Sequence, residues 1–389
     1  MATKRQSTSA PAETGSAKLA STTKAPAGRA ATRATSGKAA ARKPAKEAGR
    51  VAAPASARQR DLLAAILASP DDKKARLVYA DLLQEQGDRR GELIALQCAR
   101  AELPDGDERI GELDKEIEAL LKTHKKAWTA FGDNKGARWE FRRGFVEKLS
   151  IDANDLLANG PAILAAEPIE ELSIWKIDEC KTKVGESRLA PLLELPLGRV
   201  RRLSLARCAL TEDDFAALAE AETLGGVELL DLTNCGSESD PSAPLAAATS
   251  LPRLRELRIG GCSIGDEGFV ALAGARHLRF ERLVAPRNDI RSAAGEAIAG
   301  ATWAPGLVHL DLSSNEMFGD EGLRALAAST HLGALRSLVL SYVGLYEQAA
   351  DIVLGSPLLT QLEHLDLSLG LSLADRERIR AVMGDRLKV

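Results

Sequence analysis

Three cysteines, Cys208, Cys235 and Cys262, recur 27 residues apart. Thiols at a regular interval could bind a metal or carry redox chemistry. His309 and His364 could serve as ligands or proton carriers. The carboxylates Asp71, Asp72, Asp81, Glu85, Asp88 and Glu92 could hold a cation. Arg202, Arg207, Arg255, Arg258, Arg282, Arg287 and Tyr342 are residue types that anchor binding partners. The element that carries each side chain decides which of these chemistries is open to it.

The carboxylates lack the D-x-D-x-D-G spacing of a calcium loop, and their positions suit helix caps and a solvated helix face. The five cysteines are an odd number without C-x-x-C pairs, which gives neither a zinc site nor a disulfide framework. "GDEG" at 265–268 and 319–322 is not a phosphate loop, because no Gly-Lys-Ser/Thr triplet follows. Neither a nucleophile–histidine pair nor a cofactor fingerprint stands out. The expectation is no catalytic residue, no cofactor and no metal.

The chain has 389 residues and is 45% hydrophobic but only 4% aromatic, so its core must be aliphatic. The net charge of −3 conceals a split. Residues 1–60 hold 13 Lys/Arg and 2 Glu (+11), and the remainder holds 39 basic and 53 acidic residues (−14). The absence of a long apolar run argues against a membrane span, and the N-terminus has no signal-like apolar stretch. A reducing cytoplasm fits. Residues 1–57, rich in Ala, Lys, Arg, Ser, Thr and Pro, cannot offset the entropy of ordering and read as a disordered basic tail. It is a solubilising leader, a weak nucleic-acid or polyanion contact, or a target of phosphorylation.

From Arg58 a helical period begins. Leu62, Leu63, Ile66 and Leu67 form one face, and Pro70-Asp71-Asp72 ends that helix and caps a second, which stops near Gly87. A third begins after Gly91, and a fourth covers Asp107 to Lys125. The stretches "LLAAILASPDD", "ARLVYADLLQEQGDRRGELIALQ" and "FRRGFVEKLSI" resemble the repeat-companion domain of myxobacterial and planctomycete proteins, with Leu83 where that family has Trp. The resemblance covers roughly residues 58–103. It implies a small all-α domain, set at 58–127, in a bacterial chain that carries repeats, and it implies no activity.

The repeats follow. A pattern LxxLxLxx(N/C) begins at Val146, Ile169, Val200, Val227, Leu254, Phe280, Leu307, Leu335 and Leu362. The spacings are 23, 31, 27, 27, 26, 27, 28 and 27. Its ninth place holds Asn154, Cys208, Cys235, Cys262, Asn288 and Asn315, where the chain leaves a strand and a side chain can satisfy stranded backbone groups. This gives the cysteines a structural role. The return segments "LTEDDFAALAEA", "IGDEGFVALAGA" and "FGDEGLRALAAS" read as helices with acidic starts, and their inner faces carry Phe215/Leu218, Phe269/Leu272 and Leu323/Leu326. The pattern resembles leucine-rich repeats of the ribonuclease-inhibitor-type subclass. That resemblance implies an α/β fold over residues 139–389: a curved solenoid of about nine rungs, with a parallel sheet on the concave face and helices outside. "DECKTKVGES" reads as a loop insertion, "SESDPSAPL" lacks a clean helix start, and "LADRERIRAVMGDRLKV" fits a polar capping helix.

Concave positions carry seven arginines (Arg201, Arg202, Arg207, Arg255, Arg258, Arg282 and Arg287) against Glu228, Asp231, Glu256 and Glu281. A mildly basic middle follows. His309 and His364 share a column roughly 10 Å apart, too far for one metal. The expected function is a monomeric, non-catalytic scaffold that binds a cytoplasmic, acidic protein through Arg202, Arg207, Arg255, Arg258, Arg282, Arg287 and Tyr342. The alternatives are regulation of a small GTPase and polyanion attachment through the tail.

Overall fold

The computed structural model describes residues 56–180, 186–236, 239–360, 362–368 and 370–389. The tail reading and part of the "DECKTKVGES" and "SESDPSAPL" readings lie outside the described residues. Ala55–Val389 forms one compact unit. Its first part is four helices: α1 (Ala57–Ala68), α2 (Lys73–Glu85), α3 (Arg90–Ala101) and α4 (Ile110–Trp128). Ser56 and Asp72 cap α1 and α2 with side-chain oxygens that accept backbone N–H bonds. Gly91, expected to precede α3, lies inside it. A Cβ there would come within 2.4 Å of the Ala80 carbonyl, so this glycine lets α3 rest directly on α2.

The second part is an 11-stranded sheet in sequence order. Its strands are β1 (Arg138–Arg142), β2 (Phe145–Asp152), β3 (Glu171–Trp175), β4 (Arg202–Ser204), β5 (Leu229–Asp231), β6 (Glu256–Arg258), β7 (Arg282–Val284), β8 (His309–Asp311), β9 (Ser337–Val339), β10 (His364–Asp366) and β11 (Leu387–Lys388). The nine expected rungs are β2 to β10. Their central leucines pair laterally, from Leu149–Leu172 through Leu338–Leu365. Two edge strands were not anticipated. β1 pairs antiparallel with β2, and β11 pairs parallel with β10. Between β10 and β11 runs the expected capping helix, Leu373–Met383, which buries Ile379 and Met383.

The ninth column is a ladder. Cys208, Cys235 and Cys262 are buried, and their Sγ–H groups donate to the carbonyls of Ile174, Leu205 and Leu232, in the rung before each. Asn288 Nδ2 donates to Ile259 and Ala285, and Asn315 Nδ2 to Leu312 and Ala285. Each Asn oxygen accepts the backbone N–H of the preceding column member: Cys262 N to Asn288 Oδ1 (3.0 Å), and Asn288 N to Asn315 Oδ1 (2.7 Å). Burial pushes all three thiols up, away from reactive thiolate. Asn154 does not join this column. It is exposed in the first turn of the helix Ala153–Ala166, which follows β2 without an intervening turn.

The helix-start acids do more than complement a dipole. Asp266 Oδ1 accepts N–H bonds from Arg291 and Ala294 of the next rung, and Asp320 accepts from Tyr346 and Gln348. Buried Asp214 accepts from Arg188 and Leu189 of the rung before it. They tie consecutive return segments together.

The helical part joins the solenoid through the β1–β2 hairpin tip, Arg142-Arg143-Gly144-Phe145. Phe145 packs with Ile66, Tyr79, Leu83, Ile94 and Cys98 in the helical core. Fully buried Arg76 pairs with Glu147 at 2.8 Å and donates to the carbonyls of Pro70 and Arg143. Arg90 pairs with buried Glu167 at 2.7 Å and lies 4.9 Å from the Phe145 ring centroid. Gly144 has φ +83°, and a Cβ there would sit 2.1 Å from Ile94 Cγ1.

Two outcomes follow. Leu312→Asp should abolish cooperative unfolding near the wild-type midpoint, because an unpaired charge replaces a fully buried side chain at a cost above about 4 kcal/mol; thermal denaturation reads this. Gly144→Ala should cost about 2–4 kcal/mol, from left-handed strain plus overpacking against Ile94; denaturant titration reads it, and a wild-type midpoint would refute the tight docking of the tip.

Candidate binding surface

Each strand turns its middle leucine inward, which leaves the residues on either side facing outward. Two outward rows run across the rungs. The row just before the strands reads Glu147, Glu170, Arg201, Glu228, Arg255, Glu281, Val308, Arg336 and Glu363, joined by successive backbone N–H to carbonyl bonds. From Glu170 to Glu281 the sign alternates at every rung. Arg201 lies 3.9 Å from Glu170 and 3.8 Å from Glu228, Arg255 lies 3.6 Å from Glu281, and Arg336 lies 3.9 Å from Glu363. The next row, at the first strand residue, runs Lys148, Glu171, Arg202, Leu229, Glu256, Arg282, His309, Ser337 and His364. There Lys148 meets Glu171 at 3.6 Å, and Arg282 meets Glu256 at 3.5 Å. Parallel register places like positions about 4.8 Å apart, so equal charges in neighbouring rungs would repel, and alternation removes that penalty.

The acids counted among the mid-section arginines sit directly between them. Arg258 pairs with Glu256 at 2.6 Å, and the carboxylates Glu228, Glu256 and Glu281 interleave the arginines. Arg202, Arg255 and Arg282 do come together, around a shallow pocket of 130 Å³ that those three carboxylates also line. Arg207, Arg287 and Tyr342 lie elsewhere. They occupy the turn after the strand in left-handed conformation (φ 65°, 55° and 60°), a column that also holds Lys176, Asn234, Gly261 and Ser314. Such a φ costs a non-glycine residue of the order of 1–2 kcal/mol. Backbone bonds such as Arg207 N to Thr233 O and Tyr342 N to Ser368 O hold it.

Toward the C-terminal rungs the surface changes character. His309 Nδ1 lies 2.9 Å from Ser337 Oγ, and His364 follows one rung further. Burial, helped by the positive charge of Arg282, lowers the His309 pKa. Met317, Tyr342 and Tyr346 are exposed, and a hydrogen bond to Glu316 raises the Tyr342 pKa. Among the described residues, no three His, Cys, Asp or Glu side chains converge as metal ligands do. No helix among them is long and apolar enough to cross a membrane.

Residues 251–273 and 307–327 match the family model described as Leucine Rich repeat. They coincide with the rungs of β6 and β8. These two stretches are leucine-rich repeats. Solved structures similar to it include a TLR13–ssRNA13 complex (18% identity over 61% of this chain and 29% of that one, TM-score 0.35). Others are the Rad7–Elc1 complex in yeast (15%, 78% and 88%, TM-score 0.39) and an internalin, inlF, from Listeria monocytogenes (16%, 62% and 85%, TM-score 0.28). This chain thus spans less than a third of the TLR13 chain. No curated protein matches it.

The alternating rows escaped the sequence reading, although aligning the repeats exposes the signal: one position before each strand, the sign changes from rung to rung. Arg255→Glu would set three carboxylates side by side in this leucine-rich repeat sheet. Both partners are substantially exposed, so the loss should be at most about 1 kcal/mol. The expected result is a melting temperature a few degrees lower in dilute buffer, with the difference shrinking in 1 M salt; a salt-independent loss would refute the electrostatic account of the rows.

Proposed function

We propose that this leucine-rich repeat chain is a non-catalytic scaffold that binds another cytoplasmic protein on the concave face of its sheet. One observation carries the reading. The outward side chains stand on a backbone held by neighbours on both sides, so the face is ordered before a partner arrives and little entropy is lost on association. The partner contacts run from the Arg202–Arg255–Arg282 pocket and Arg258 to the exit column of Arg207, Arg287 and Tyr342. Because each strand arginine has a carboxylate nearby, the complementary surface must itself carry both signs, with acidic groups set opposite the arginines. Exposed Tyr342 supplies an anchor at the far end.

We further read residues 58–127 as a repeat-companion domain that closes the first rung, which the docking of Phe145 into its core supports. Spacings of 26–28 residues between strands, with a helix in most returns, support the ribonuclease-inhibitor-type subclass.

Tagged full-length protein should retain a specific partner, identified by mass spectrometry. Arg258→Glu combined with Arg282→Glu should weaken that partner at least tenfold, about 1.4 kcal/mol, while the protein stays folded with a melting temperature only a few degrees lower. Equal affinity would overturn the concave-face reading.

A further inference from the structure

Glu170 interrupts the charge alternation. It stands beside Arg201 on one side, but its other neighbour in the row is Glu147, a second carboxylate. Glu147 is already satisfied by Arg76 and Arg143, at 2.8 and 2.9 Å. Glu170 is not. Its Oε1 is buried, accepts no hydrogen bond and lies 3.9 Å from Arg201, while Oε2 stands 4.0 Å from Arg143. Burial, Glu147 and Asp71 raise its pKa, and Arg201 and Arg143 offset this only in part.

This carboxylate lines a cleft of about 620 Å³ where the helical part meets the first rungs. Gln97, Ala101 and Ile117 contribute from α3 and α4, and Phe141 and Arg142 from β1. The other charged walls are engaged among themselves. Arg142 pairs with Glu140 and Glu171 at 2.7 Å, Arg100 with Asp114 at 3.0 Å, and Arg143 with Glu147 and Asp71 at 2.9 Å. Once these pairs are made, the cleft offers an apolar floor of Ile117 and Phe141 and one carboxylate without a hydrogen-bond donor.

We propose that this cleft receives a cationic side chain of a partner, lysine or arginine, with its alkyl stem over Ile117 and Phe141 and its charged end against Glu170. The occupant follows from charge complementarity. A donor-bearing cation supplies both a hydrogen bond to the Glu170 carboxylate and the charge missing from the Glu147–Glu170 step. An anion would face an unpaired carboxylate, and a neutral apolar group would leave it buried and unsatisfied. The site is separate from the concave arginine pocket and stands or falls independently of it.

The probes are the tripeptides acetyl-Gly-Arg-Gly-amide and acetyl-Gly-Lys-Gly-amide, with acetyl-Gly-Gln-Gly-amide as the neutral control. Each is titrated into 15N-labelled full-length protein and followed by amide chemical shifts. The cationic peptides should shift Gln97, Arg142 and Glu170 saturably, and the Gln peptide should bind at least tenfold more weakly. Glu170→Gln should weaken the cationic peptides at least fivefold, whereas Glu228→Gln, in the same row outside the cleft, and the Arg258→Glu/Arg282→Glu pair should leave them unchanged. Equal binding of the Gln peptide, shifts confined to the strand arginines, or undiminished binding to Glu170→Gln would each overturn the proposal. The peptide comparison on the wild-type chain holds even if the variant folds poorly.

Discussion

A strand of three residues cannot persist alone. Its backbone groups need partners on both sides, and its single inward leucine is worth about 1.5–3 kcal/mol only when neighbours exclude water from it. Each rung of this chain therefore exists through the rungs beside it. That constraint shapes every position in the repeat. It calls for a leucine at the strand centre and a side chain at the ninth place that bonds carbonyls the ladder has released. It also calls for an acid at the return helix that can reach the next return segment.

The same constraint acts on charge. Parallel stacking puts identical repeat positions side by side, so a repeat copied without change would line up like charges for the length of the solenoid. Here the outward rows alternate instead, from Glu170 through Arg201, Glu228 and Arg255 to Glu281. The sheet is thereby stabilised along its length, and Glu228, Glu256 and Glu281 offset the arginines around the pocket that they share. Where alternation fails, at Glu147 and Glu170, a carboxylate is left over and a cleft lies open beside it.

A stack must also end. At its C-terminal side β11 pairs with β10, and the helix Leu373–Met383 covers the last leucines. At the other end the closure is heavier. The β1–β2 hairpin carries Phe145 into the helical core and buries the Arg76–Glu147 and Arg90–Glu167 pairs. Buried ion pairs return little net stability against a well-packed apolar alternative. Their directional hydrogen bonds to Pro70, Arg143, Gly144 and Val146 instead fix how the hairpin sits against the helices.

The amino-acid order alone determined the rungs, because burial within a rung leaves its mark a few residues apart: Leu307, Leu310 and Leu312 with Asn315 show it in one stretch. It likewise marked the cysteine column as structural and the acidic helix starts. It misjudged Asn154, since a helix that begins directly after β2 leaves no turn for a ninth-place side chain to brace. It counted Glu256 against the arginines but not that one carboxylate pairs with both Arg258 on its own strand and Arg282 on the next, the second of which only inter-rung register sets. The hairpin tip and the cleft at Glu170 were decided by tertiary structure alone. Both depend on side chains dozens of residues apart, such as Arg76 with Glu147 and Gln97 with Gly144, and local periodicity holds no record of which distant groups will meet.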